Sequence, residues 1–182
     1  MKKIEEKIYL KPFKSSDIKN SNYLKWLRDY DVIKFLYRQE LFLKFKNKDI
    51  YEYVKKIEKS KIDYFYLIKL NKEYIGTVKI GHIDWYARTG DLGIMIGNKN
   101  YWNKGYATKV IQLVCKFSKK KLNLRKLIAG SPSINKGMIK AFKKNQFIIE
   151  GNRKKQLLIS KKYVDHIFLG KFIWNEYLHF YW

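Results

Sequence analysis

GDLGIMIGNKNYWNKGYATKVIQLVCKF, residues Gly90 to Phe117, changes its hydrophobic period part-way along. Up to Gly97 the apolar residues alternate, as in a half-buried strand. Six or seven polar and aromatic residues follow. Then Ala107, Val110, Ile111, Val114 and Phe117 recur at the spacing of an amphipathic helix, predicted from about Lys104 to Lys120. Two small residues, Gly105 and Ala107, stand where that helix begins. A helix start presents N–H groups without intrahelical acceptors at the positive end of the helix dipole, and small residues let an anion reach them. The loop is not a P-loop, since it lacks the second glycine and the Gly-Lys-Ser/Thr ending, and it is not G-x-G-x-x-G.

Working outward, Lys7–Phe13 alternates and reads as a first strand. A helical segment follows, with Ser16 or Asp17 as N-cap and Ile18, Tyr23, Trp26 and Leu27 facing inward. The aromatic segment from Tyr30 to Phe45 has no clear period. Asp49 to Glu52 resembles a capping box ahead of a helix carrying Ile50, Val54 and Ile57. Asp63–Leu70, Tyr74–Trp85 and Asp91–Gly97 read as an antiparallel meander. After the main helix come a short strand near Leu124–Ser131 and a helix over Ile134–Asn145, with Met138, Ile139 and Phe142 inward. Two final strands lie near Phe147–Ile159 and Tyr163–Ile173. No linker, repeat or low-complexity block interrupts this order, so residues 1–182 are expected to form one domain. The expected fold class is α/β (α+β), a mixed, mostly antiparallel twisted sheet with about four helices, and not a doubly wound sheet.

The chain is 46% hydrophobic, enough for a core, and carries a formal charge of +24. That charge fits either an electropositive face for polyanions or solvated lysine throughout, and its spread from end to end favours the second. No helix-turn-helix, zinc or RNA-recognition motif backs a nucleic-acid-binding module, which stays as the non-enzyme alternative. One cysteine, Cys115, excludes an internal disulfide and supplies no metal cluster. No apolar run reaches the ~18 residues needed to span a bilayer. The N-terminus lacks a signal-peptide core, so a cytoplasmic protein is expected.

The run YWNKGYATKVIQLV, following an alternating strand, resembles the coenzyme A loop of the GNAT superfamily of N-acetyltransferases. That family carries Gln/Arg-x-x-Gly-x-Gly/Ala at this point. Here Gly105 and Ala107 match the small positions, and Trp102 occupies the Gln/Arg position, as in the branch related to ribosomal-protein acetyltransferases. The resemblance extends over nearly the whole chain. In SINKGMIKAFKKNQFIIEG, Asn135 and Phe147 match the later Asn-x-x-Ser…Gly-Phe segment, while Met138 replaces the Ser and Gln146 the Gly.

The resemblance implies acetyl-CoA as co-substrate and no metal. It implies fourth and fifth strands that splay apart, with pantetheine bonded to the backbone of Ile94, Met95 and Ile96. The pyrophosphate would sit on the N–H groups of Asn103, Lys104, Gly105, Tyr106, Ala107 and Thr108, and Asn135 would reach the pantetheine side. The acceptor would be a small-molecule amine. An amino sugar of surface polysaccharide biosynthesis, free or nucleotide-linked, ranks first, a protein N-terminus second and a polyamine last. The oligomeric state is left open, a dimer being one option.

Acetyl transfer needs a neutral amine, a polarised carbonyl and a route for protons. Direct attack needs no enzyme nucleophile, in keeping with a chain that has no Ser/His/Asp or Cys/His pattern. Asp91 matches an acidic position of relatives and would take the amine proton through water. Its competing reading is a solvated turn aspartate. His82, on the preceding strand, ranks second, with a structural histidine as its competing reading. His166 and His179 rank behind it. Many family members protonate the leaving thiolate with a tyrosine, and that position here is Phe142, which has no proton to give. Tyr106 or water would substitute, or the thiolate would leave unaided, stabilised by backbone dipoles. Lys34 and Arg38, four apart beside Phe35 and Tyr37, are expected to offer phosphate contacts on the acceptor side.

Overall fold

The computed structural model describes residues 7–36 and 43–174. Alternating patterns become seven strands: β1 (Ile8–Pro12), β2 (Tyr64–Leu70), β3 (Glu73–Asp84), β4 (Thr89–Ile96), β5 (Lys126–Pro132), β6 (Ile148–Ile159) and β7 (Lys162–Phe172). They form one sheet in the order β1-β2-β3-β4-β5-β7-β6. Every neighbouring pair is antiparallel except β4 and β5, which are parallel.

Among the described residues there are five helices rather than four: α1 (Tyr23–Trp26), α2 (Tyr30–Ile33), α3 (Asn47–Glu58), α4 (Tyr106–Leu122) and α5 (Lys136–Lys144). Short 3-10 turns add Ser15–Asp17 and Lys99–Tyr101. The first helical segment is therefore broken, because Asn22 takes a left-handed conformation (φ 60°) between the turn and α1. Asp17 accepts the Lys14 N–H at 3.1 Å, so it closes a turn and does not cap a long helix. Asp49 is likewise the third residue of α3, accepting the Lys46 N–H at 2.7 Å. The main helix starts at Tyr106 rather than Lys104, with Gly105 as its N-cap.

Helices cover both faces of the sheet. On one face Val78, Ile80 and Leu92 bury against Val110, Ile111 and Val114 of α4 and Phe142 of α5. On the other, Leu67 and Met95 bury against Trp26, Ile33, Ile50 and Val54 from the first three helices. Neighbours on β4 thus serve different cores, as the period of two requires. The second layer leaves the β5, β6 and β7 end uncovered, where Ile128, Phe172 and Ile148 are exposed.

Trp26 joins the two halves of the chain. Its indole lies on the backbone of Gly97, where β4 ends, and a methyl group on Gly97 would fall within the ring. Gly97→Ala should therefore destabilise the protein by about 1–3 kcal/mol, the usual cost of overpacking. Gly93, which faces open space, is the control: Gly93→Ala should leave the urea midpoint almost unmoved. Equal midpoints for both variants would show that the ring yields freely.

Candidate active site

β4 and β5 are paired only at Thr89↔Lys126, Gly90↔Leu127 and Asp91↔Ile128. Beyond Asp91, β4 stays with β3 through Ile94↔Val78, Met95↔Thr77 and Ile96↔Gly76. Meanwhile β5 stays with β7 as far as Pro132↔His166. The two strands part, and a strand with a neighbour on one side only turns unpaired N–H and C=O groups to the other.

The start of α4 lies after this parting. Gly105 adopts φ 80°, a conformation that costs glycine little, and gives the helix no side-chain cap. Lys109 makes the first bond back to the Gly105 carbonyl, at 3.1 Å. Helices α2 and α5 are finished differently: Asp29 accepts from the Asp31 N–H at 3.0 Å, and Asn135 from the Met138 N–H at 3.3 Å. A Cβ added at Gly105 would meet nothing within 4 Å. The first turn of α4 is thus open to an anion from outside.

The connecting loop is fixed on several sides. Glu73 accepts from Asn98 Nδ2 at 2.6 Å and from the Tyr101 hydroxyl at 2.5 Å. Lys99 reaches Asp29 at 2.7 Å, tying the loop to α2. Trp102 donates its indole N–H back to the Ile96 carbonyl at 2.7 Å, so the residue at the Gln/Arg position braces the strand end and does not face the helix start. Asn103 is exposed and left-handed (φ 58°), Lys104 is exposed, and Tyr106 is buried edge-on to Tyr101. Asn145 Nδ2 bonds the Thr108 carbonyl at 3.0 Å, which sets α5 against α4. Ile94 and Ile96 are partly buried toward α4, and Met95 points to the other core.

Asp91 sits where the strands part, on the sheet face away from α4, directly across from Gly81 of β3. The backbone leaves the β ladder there, with His82 at φ 50°. That bulge swings His82 outward, and its Nδ1 stands 3.8 Å from Asp91 Oδ2. Burial of its surroundings pushes the Asp91 carboxyl above the ordinary carboxylate range, against the pull of His82, Lys79 and His166. His166, ranked behind His82 in the sequence, also reaches this region. Its imidazole lies over Gly130 of β5, so closely that a side chain at position 130 would strike Nε2. Burial and Arg153 hold it below the usual histidine value, while Asp91 opposes them. The Asp91, His82 and His166 groups therefore gather around the point of divergence. His179, Tyr37 and Arg38 lie outside the described residues.

A sequence model of the acetyltransferase (GNAT) domain matches residues 7–148. The chain belongs to the GNAT family. Among curated proteins it is 37% identical over 79 residues to the uncharacterized N-acetyltransferase YnaD of Bacillus subtilis (strain 168). That match covers 42% of this chain and 46% of YnaD, so it spans less than half of the relative. Among solved structures, spermidine N-acetyltransferase from Vibrio cholerae, in complex with CoA and spermine, superposes with a TM-score of 0.82. It is 17% identical, over 91% of this chain and 95% of that one. RimL, a ribosomal-protein alpha-N-acetyltransferase in complex with coenzyme A, superposes with a TM-score of 0.79 at 14% identity, over 91% and 93% of the two chains. At these identities the structural likeness shows the GNAT fold.

Against the GNAT pattern, Phe142 is buried and packed at 4.9 Å on Phe147, so the usual tyrosine position holds no proton donor. Cys115 is buried in α4, and burial pushes its thiol up to about 11, which makes it inert as a nucleophile. Lys34 lies past the end of α2 and pairs with Asp31 at 3.0 Å, while Arg38, the other half of the expected phosphate contact, lies outside the described residues.

Proposed function

We propose that this GNAT domain is a cytoplasmic acetyl-CoA-dependent N-acetyltransferase acting on a primary amine. The observation that carries the reading is the parting of β4 from β5 ahead of a helix start with no side-chain cap. The residues present suit the coenzyme. The one-sided edge of β4 from Leu92 to Ile96 offers the backbone groups that would hold the pantetheine arm. The N–H groups from Asn103 to Thr108 would hold the diphosphate, beside a glycine with open space around its α-carbon. Asn135, whose oxygen caps α5, would turn its amide nitrogen to the arm from the far bank, beyond the end of β5.

When bound, acetyl-CoA supplies an activated acetyl group as a thioester. The chain's own residues do the rest. Asp91, on the acceptor face at the point of divergence, takes the amine proton through water, with His82 beside it. Gly93, whose α-carbon faces open space, leaves room for the acceptor next to Asp91. With Phe142 buried at the usual tyrosine position, the proton for the leaving thiolate would come from Tyr106 or water, or the backbone dipoles of the cleft would stabilise it unaided.

For the acceptor we infer an amino sugar of surface polysaccharide biosynthesis, free or nucleotide-linked. The likeness to RimL supports a protein α-amine as the second reading. A polyamine fits least, because a chain of charge +24 repels it. The test is thiol release from acetyl-CoA with free and nucleotide-linked amino sugars, peptide α-amines and spermidine. An amino sugar should give the highest kcat/KM, and any advantage of a linked form should shrink as salt rises. Fastest turnover of a peptide would replace the amino sugar with the protein reading.

A further inference from the structure

We propose that the cavity between the C-terminal end of α3 and the β2–β3 pair holds a phosphate group of the acceptor, so that the substrate is a phosphorylated amine. This rests on the acetyltransferase reading and assigns the acceptor's acidic end. The cavity, of about 320 Å³, is lined by Tyr53, Lys56, Lys59, Ser60, Lys79 and His82, with Asp63 and Ile57 behind them. Small-molecule sites run from roughly 300 to 1,000 Å³. This one lies at the small end of that range and is open to solvent, so a phosphate can enter it while the rest of an acceptor extends outside.

Its floor is built. Lys79 and Asp63 form an ion pair at 2.9 Å, folded over the backbone of Gly81, where a Cβ would collide with both. Ser60 donates to Asp63 at 2.9 Å. Burial opposes both charges, yet the pairing holds Asp63 below and Lys79 above its ordinary value. The one carboxylate in the cavity is thereby committed. Glu58, the nearest acid on α3, is bonded to the Ser15 N–H, and Glu52 pairs with Lys48 at 3.8 Å. Lys56 and Lys59 have no carboxylate partner among the described residues.

Those two lysines also complement the negative end of α3, and that accounts for part of their charge. The helix end is equivalent to roughly half an elementary charge. Two lysines exceed it, and the neutralised Lys79–Asp63 pair subtracts nothing. The cavity is left net positive. It also shares Lys79 and His82 with the surroundings of Asp91. An acceptor spanning the two would place its phosphate among the lysines and its amine at the carboxylate.

The experiment titrates glucosamine 6-phosphate, glucosamine and UDP-glucosamine against the whole protein saturated with coenzyme A, which keeps the α4 start occupied. A phosphorylated form should bind at least tenfold more tightly than glucosamine, by an amount that falls with salt. The stronger of the two identifies the source of the phosphate. Lys56→Glu with Lys59→Glu should abolish the preference. Lys55→Glu with Lys72→Glu, the same charge change outside the cavity, should keep most of it, with thermal melts confirming that both pairs fold. Equal binding of glucosamine and its phosphate by the parent, or equal loss in the two paired variants, would overturn the proposal. Thiol release without phosphate preference would remove the cavity assignment and leave the enzyme reading standing. Selective phosphate binding without thiol release from any amine would do the reverse.

Discussion

Gly105→Glu is expected to abolish the thermal protection that acetyl-CoA gives the parent protein. The backbone at this position has φ 80°, and no protein atom lies within 4 Å of an added Cβ. The new side chain would therefore extend into the space proposed for the diphosphate, and its charge would repel it. A ligand at a hundred times its Kd stabilises a protein by about 2.7 kcal/mol, and all of that should vanish. The left-handed conformation costs a non-glycine residue roughly 1–2 kcal/mol, so the free variant should melt only slightly lower. Gly105→Ala carries the same backbone cost without the charge, and it should keep a measurable part of the protection. Undiminished protection of the glutamate variant would place the coenzyme elsewhere.

Asp91→Asn should lower kcat while leaving the affinity for acetyl-CoA close to that of the parent. General-base help is worth ~10²–10⁴-fold, and less for an amine already largely neutral. The pH dependence has a definite sign. The carboxylate works in its ionised form, and burial has pushed its protonation upward. Activity should consequently fall as pH drops through a value above the ordinary carboxylate range, and the asparagine variant should lose that limb. A variant with the parent's pH profile would make Asp91 structural and send the search to His82 or to water alone.

The stretch from Gly90 to Phe117 carried the fold because its period changes once, at Gly97. Val110, Ile111 and Val114 bury as the helical spacing requires, whereas Met95, off the alternating face, buries in the second core and Ala107 and Phe117 are only partly covered. The start of α4 was legible for the same reason, since Gly105 has a local cause. Breaks in the first helical segment were not legible. Asn22 turns left-handed there while Trp26 and Leu27 bury in the second core, and that packing depends on Gly97, far along the chain. His166 was hidden in another way. Its neighbours on the acceptor face, Gly130 and Asp91, become neighbours only through the register of β5 with β7 and with β4. The Lys79–Asp63 pair depends likewise on β2 meeting β3. Period and capping are local properties, and register is not.

Three positions around the divergence, Gly93, Gly105 and Gly130, have no side chain at all, and the proposed ligand paths pass over the first two. Their contribution is clearance. Systematic truncation to alanine maps a surface by what is lost when atoms are removed. At Gly93 it only adds a methyl group into open space and would report the position as quiet, while at Gly105 and Gly130 it would read backbone strain and the clash with His166 instead of ligand clearance. The informative survey of this surface runs the opposite way, lengthening one position at a time and recording where added bulk first competes with each substrate. The outline it traces would be the negative image of the two molecules that meet there.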